Sequence, residues 1–145
     1  MIKFLASVGG TGYSRVAPGT CGSFAALVVY FLINGNVILC SAVTLALLII
    51  GFAVSGKAEK AFGKKDASQI VIDEACGLFI TLFLIPFSYG VAFLGFLIFR
   101  TADVAKPFPI RRLEKLPGSL GVMSDDILAG IYANLITRII LKLLT

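Results

Sequence analysis

Apolar residues come in long runs broken by short polar clusters, and two runs carry no charged side chain at all: residues 16–56 and residues 75–99. A hydrocarbon core of about 30 Å is crossed by about 20 apolar residues in a helix, so the first run is long enough to cross twice. The pattern predicts a helix that starts after Pro18 and Thr20 and runs to Asn34, where Asn34-Gly35-Asn36 makes a tight turn. A second helix returns from residue 37 to about residue 55. A charged stretch follows at 57–66, with Lys57, Lys60, Lys64 and Lys65. Residues 67–85 are then apolar except for Ser68, Gln69, Asp73, Glu74 and Thr81, and Pro86-Phe87-Ser88-Tyr89-Gly90 carries turn chemistry. Residues 91–106 are apolar as far as Arg100, and the helix stops at Pro107, since the residue before a proline is pushed out of the α region. A polar loop over 107–123 leads to Ser124-Asp125-Asp126, a good N-cap sequence, and a last helix runs to about residue 144. No internal repeat is present.

Charge arbitrates the one ambiguous segment, residues 67–106, which reads either as a single kinked span or as a hairpin turning at 86–90. With the hairpin, Lys3, Arg15, Lys57, Lys60, Lys64, Lys65, Arg100, Lys106, Arg111, Arg112 and Lys115 all fall on one face, and the opposite turns carry no charge. Only Arg138 and Lys142 fall toward the far face. Basic loops stay cytoplasmic, so the hairpin is the expected arrangement, with the C-terminus outside. It gathers Asp73, Glu74, Asp103, Asp125 and Asp126, five of the eight acids, at the cytoplasmic end of a bundle. Asp73 and Glu74 are then expected one to two turns inside their helix. Carboxylates at that depth are costly and mark a functional site.

Composition agrees with the membrane reading: 58% of residues are hydrophobic and 14% charged. A soluble domain of this length buries roughly 70% of its chain surface and still needs a polar exterior, which this chain cannot supply. The expected fold class is all-α, a polytopic membrane bundle of about five helices with polar loops on the cytoplasmic face, in one domain over 1–145. Residues 2–8 are too few for a signal core, so no cleavable signal is expected. Cys21, Cys40 and Cys76 form no CxxC pair and read as small packing residues. The net charge of +5 flanks apolar runs, which points to anionic lipid as partner and away from nucleic acid. Oligomeric state is not encoded legibly.

The chain has no histidine. Phosphohistidine chemistry, Ser-His-Asp catalysis and most zinc sites are thereby excluded. Cysteine phosphatases need an arginine six residues after the nucleophile, and after Cys21 that position is Leu27. The spaced aspartates of CDP-alcohol transferases are also missing. What remains is oxygen chemistry, and hard oxygen ligands select Mg²⁺ or Mn²⁺. Three groups carry it: the Gly-rich stretch Gly9-Gly10-Thr11-Gly12-Tyr13-Ser14 continuing to Pro18-Gly19-Thr20-Cys21-Gly22-Ser23, the pair Asp73-Glu74, and Arg100, Asp103 and Lys106 on one helix face. Free backbone N–H groups at a helix start favour an anion. The Arg100–Asp103–Lys106 group reads equally as a plain ion pair or as a metal ligand beside phosphate-binding cations. Clustered carboxylates also suit a different class, a divalent-cation transporter or channel.

Four blocks carry a resemblance. Gly12-Tyr13-Ser14 through Ala17-Pro18-Gly19-Thr20-Cys21-Gly22-Ser23, then Ile70-Val71-Ile72-Asp73-Glu74 with Gly77, are followed by Phe99-Arg100-Thr101-Ala102-Asp103-Val104-Ala105-Lys106-Pro107-Phe108-Pro109-Ile110 and Gly121-Val122-Met123-Ser124-Asp125-Asp126-Ile127-Leu128-Ala129-Gly130. In this order they resemble the phosphatidylglycerophosphatase A family, the last two blocks being the specific ones. The resemblance implies Mg²⁺-dependent removal of the terminal phosphate of phosphatidylglycerophosphate to give phosphatidylglycerol, at a multi-pass bacterial inner membrane with the site on the cytoplasmic side. Asp73, Glu74, Asp103, Asp125 and Asp126 would be metal ligands or bases. Arg100 and Lys106 would hold the phosphate, with Thr20, Ser23 and the Gly12 region.

Overall fold

The computed structural model describes residues 1–144. Among them are seven α-helices and one 3-10 turn, with no strand. In order these are α1 (Ile2–Ala6), the 3-10 turn (Thr11–Tyr13), α2 (Pro18–Leu32), α3 (Val37–Phe62), α4 (Ile72–Leu82), α5 (Tyr89–Ala105), α6 (Ile110–Leu113) and α7 (Ser119–Leu144). The all-α class holds. The helix count is seven, against an expected five or so, because short helices also form at 2–6 and 110–113.

Local chemistry sets most boundaries. Pro18 opens α2, where a missing N–H leaves nothing unsatisfied. Asn36 caps α3, its Oδ1 accepting from the N–H groups of Ile38 and Leu39 at 3.0 and 3.1 Å. Gly63, at φ 68°, closes α3 in the left-handed conformation that glycine adopts without strain. The helix therefore runs past the expected end near residue 55 and takes in Lys57, Glu59 and Lys60.

Two helix starts differ from expectation, and both bear on the site. α4 begins at Ile72, too late in the apolar stretch 67–85 to put Asp73 and Glu74 one to two turns inside it, because the preceding backbone is bonded elsewhere: Val71 N–H donates to Ala6 O at 2.9 Å and Ile70 N–H to Ala67 O at 2.8 Å. Asp73 and Glu74 thus occupy the first turn of α4 and not a position one to two turns inside. α7 begins at Ser119, ahead of the expected Ser124 cap, with the N–H groups of Gly121 and Val122 bonded to Gly118 O. Asp125 and Asp126 consequently lie about two turns into α7.

α4 is the central element. Ile72, Asp73, Ala75, Cys76, Gly77, Leu78, Phe79, Thr81 and Leu82 are all buried, and the helix packs against α2, α3, α5 and α7. With nine of its eleven residues buried, α4 is apolar around most of its surface beyond the Asp73-Glu74 pair. Small residues let it approach α7: a methyl group on Gly130 would lie 2.5 Å from Gly77 O. The start of α4 and the end of α5 both reach Asp126, while Leu82 near the end of α4 meets Gly95 nearer the start of α5. The two helices are therefore antiparallel and joined by a turn at 83–88.

The outer surface is apolar where a soluble protein would be polar. α3 and α7 are each 26 residues, long and apolar enough to cross a membrane, and at 1.5 Å per residue each spans about 39 Å. Ile38, Leu45 and Ile49 on α3, and Leu135, Ile136 and Ile139 on α7, are exposed. Such continuous apolar exposure fits lipid contact. α4 is only 11 residues, about 16 Å at that rise, so it ends among apolar neighbours. Carbonyls at and just after its C-terminal end are met from α7. Asn134 Nδ2 donates to Ile80 O, Thr81 O and Phe83 O at 3.2, 2.8 and 2.9 Å, and Arg138 Nη2 donates to Phe83 O and Leu84 O at 2.9 and 3.0 Å. Backbone groups without water must be satisfied internally, and Arg138, the charge that counted against the topology, does this.

Candidate active site

The first turn of α4, the last turn of α5 and the second turn of α7 meet at one end of the bundle. One carboxylate oxygen from each of Asp73, Glu74 and Asp126 lies within 4.8 Å of the other two. Asp73 and Asp126 are only 6% and 3% exposed. Like charges that close and that dry are costly unless a cation or protons offset them. Asp73 Oδ1 and Glu74 Oε2 are buried and accept no hydrogen bond among the described residues. Three converging hard oxygen donors, two of them from residues with an unpartnered buried oxygen, fit a small divalent cation such as Mg²⁺ or Mn²⁺.

Cations close one side of this cluster. Arg100 Nη1 donates to Asp103 Oδ2 at 2.7 Å and to Ser23 Oγ at 3.5 Å, while its Nε is buried without a partner. Ser23 Oγ in turn donates to Gly19 O at 2.9 Å. Asp103 stands close enough to Asp126 for their charges to interact, so it links the guanidinium to the carboxylate cluster. The start of α2 presses onto the same groups: a methyl group on Gly19 would overlap Glu74 Oε1 and lie 3.2 Å from Arg100 Nη2.

Asp125 faces differently from its neighbour. Its Oδ2 accepts from Lys106 Nζ at 2.7 Å, with Glu114 Oε1 at 3.4 Å from the same ammonium. Lys106 follows α5 in a left-handed conformation, φ 44°, which turns its side chain back toward α7. Burial works against its charge, but the Asp125 hydrogen bond and the charges of Asp125, Glu114 and Asp103 outweigh that and raise the ammonium above its ordinary value. Lys106 is a fixed cation at neutral pH.

The structure thus brings Asp73, Glu74 and Asp126 together, with Asp103 adjoining and Arg100 and Ser23 behind it. Asp125 stands apart on Lys106. Thr20 is half-buried in the first turn of α2, next to Gly19. Gly12 does not take the expected place at a phosphate: its N–H is spent on Ser7 O at 3.1 Å, and a methyl group there would overlap Gln69 O. It is a close-packing residue. Gly19 is the residue that sequence reasoning left out of the site, since nothing within a Gly-rich run distinguishes the one glycine that abuts a carboxylate.

Comparison with known proteins gives a consistent picture. The sequence profile of the family described as Phosphatidylglycerophosphatase A matches residues 4–141. A Bacteroides thetaiotaomicron protein named "Putative phosphatidylinositol-3-phosphatase" is 34% identical over 90% of this chain and 87% of its own length. The Escherichia coli Phosphatidylglycerophosphatase A is 38% identical over 86% of this chain and 74% of its own. The Haemophilus influenzae protein of the same name is 37% identical over 93% and 85%. No solved structure matches the chain.

Proposed function

The chain belongs to the phosphatidylglycerophosphatase A family, a family of phosphatases, and on that premise we propose that it hydrolyses the terminal phosphate of phosphatidylglycerophosphate in a Mg²⁺-dependent reaction. The observation that carries the reading is the convergence of Asp73, Glu74 and Asp126, with buried unpartnered oxygens on Asp73 and Glu74, set beside Arg100. These three carboxylates would hold the cation. When bound, Mg²⁺ supplies charge neutralisation at the phosphoryl oxygens. Arg100 binds the phosphate, its guanidinium oriented by Asp103 and Ser23 and its Nε left free for a phosphoryl oxygen. Lys106, locked to Asp125, adds a second fixed positive charge on the same side. Asp103, between Arg100 and Asp126, would orient the guanidinium and a water beside it.

A cation transporter draws no support from the relatives, and Arg100 and Lys106 beside the carboxylates would repel its cargo. We place the protein as a multi-pass bacterial inner-membrane enzyme with its site at the cytoplasmic end, supported by the bacterial relatives and the basic residues near that end. Phosphatidylinositol 3-phosphate is the second substrate to consider, because of the Bacteroides relative's name. Both lipids carry a phosphate monoester beyond a phosphodiester. Purified protein should release phosphate from phosphatidylglycerophosphate with Mg²⁺ and not in EDTA. A clear preference for phosphatidylinositol 3-phosphate would reassign the substrate, and release from neither would remove the reading.

A further inference from the structure

The loop after α5 folds into a basic pocket next to the carboxylate centre. A cavity of about 370 Å³ is lined by Lys106, Phe108, Pro109, Arg111, Arg112 and Lys115, with no acid in its wall. The Arg112 guanidinium carbon lies 4.8 Å from the centre of the Phe108 ring, which holds a planar donor in place. Among the described residues Arg111, Arg112 and Lys115 take part in no ion pair. Asp66 and Glu114 line an adjoining cavity with Arg111 and Lys115 without pairing to them, so the cations keep charge for an anion on the pocket side. Lys106 is the fourth wall cation, and its 2.7 Å contact with Asp125 ties the pocket to the carboxylate end of α7.

An apolar cleft of about 360 Å³ approaches the same loop from the lipid side. It runs between α5 and α7, past Leu97, Ile98, Ala105, Pro107, Tyr132 and Ile136. Residues 106–108 separate cleft from pocket, and the Tyr132 hydroxyl donates to Phe108 O at 3.3 Å across that divide. With an apolar cleft on one side of residues 106–108 and a basic pocket on the other, the occupant whose chemistry fits both is a phospholipid, its chain along the cleft and its phosphodiester at the pocket.

We propose that Arg111, Arg112 and Lys115 bind the phosphodiester phosphate of the lipid substrate and so select lipids bearing a second phosphate between the acyl glycerol and the scissile monoester. This rests on the phosphatase reading above. A basic loop that only held the protein to an anionic leaflet would favour every anionic lipid alike. The test is the ratio of kcat/KM for phosphatidylglycerophosphate to that for phosphatidic acid, which lacks the diester. It is measured with short-chain lipids in neutral detergent micelles, so that surface charge does not contribute.

The Arg111→Gln/Arg112→Gln double variant of the full chain should lower that ratio about tenfold, the scale of losing a charge-assisted hydrogen bond. Lys115→Gln alone should lower it in the same direction and serves if the double variant does not fold. A ratio within twofold of wild type overturns the proposal, whether both rates fall together or neither moves. The wild-type protein is the separate control. If it releases no phosphate from phosphatidylglycerophosphate, the phosphatase reading fails and this inference with it, whereas normal wild-type activity with an unchanged ratio in the variants removes the diester pocket alone.

Discussion

Gly19→Ala separates positioning from folding at this site. The added methyl group would overlap Glu74 Oε1 and lie 3.1 Å from Glu74 Cδ and 3.2 Å from Arg100 Nη2. Ordinary heavy-atom contact is about 3.5 Å, so the Glu74 carboxylate must retreat by roughly 1 Å. The obstructing atoms are the ends of flexible side chains and not backbone, so the fold yields at small cost, about 1 kcal/mol or less, as expected for a change that reorients a side chain without opening a cavity. The triad does not yield so cheaply. A misplacement of about 1 Å in a catalytic constellation costs on the order of 10²-fold in rate. Phosphate release from phosphatidylglycerophosphate at saturating Mg²⁺, measured beside a thermal melt, should show that loss in kcat with a melting temperature within a few degrees of wild type. Gly90→Ala is the control, because a methyl group there meets nothing nearer than Ser88 Oγ at 4.0 Å. Wild-type turnover in Gly19→Ala would refute the placement of α2 against Glu74, as would a loss that merely tracks unfolding.

Three further outcomes are expected. Cys21→Ser should keep most activity and resist thiol reagents, since the Cys21 thiol points to Val16 O at 3.7 Å and not into the carboxylate cluster; a 10³-fold loss, the scale of removing a central catalytic group, would reopen covalent catalysis. Asn134→Ala strips the Ile80 and Thr81 carbonyls of their α7 donor, which should cost about 2 kcal/mol or more in stability, read as a lower melting temperature in detergent, with turnover at low temperature preserved. Cysteines introduced as Lys64→Cys and Arg111→Cys in a Cys21→Ser background should both escape a membrane-impermeant label in intact cells, and labelling of only one would disperse the proposed site across two faces.

Much of this was legible in the sequence because the signals were local. The turn at 34–36, the stop before Pro107 and the uncharged runs follow from proline, glycine and hydropathy alone, whereas the turn expected at 86–90 lies a few residues earlier, at 83–88, because α5 already begins at Tyr89. The two misplaced helix starts were not local. The bond from Val71 N–H to Ala6 O depends on a short helix sixty-odd residues earlier in the chain, and no pattern within 67–71 announces it. At α7 the signal lay at Pro117-Gly118, where Gly118 takes φ 58° and its carbonyl accepts the first helical bonds, whereas Ser124-Asp125-Asp126 looked the better cap. The candidate ligands could be named from residue type, yet their division into a triad and an Asp125–Lys106 pair could not. Adjacent residues on a helix point about 100° apart, and which of Asp125 and Asp126 turns inward depends on how α7 is rotated against α4. Small residues at Gly77 and Gly130 set that contact.

The central claim is that Asp73, Glu74 and Asp126 hold a divalent cation that the reaction requires, and the most direct test is the Mg²⁺ activation curve of the purified protein. After EDTA treatment, phosphate release from phosphatidylglycerophosphate should be absent and should return as Mg²⁺ is added. Asp73→Asn and Asp126→Asn should each require more Mg²⁺ for half-maximal activation and reach a maximum on the order of 10²-fold lower, the scale of losing a preorganised electrostatic group. Wild-type release undiminished in EDTA, or activation curves in both variants that overlay the wild type, would contradict the account.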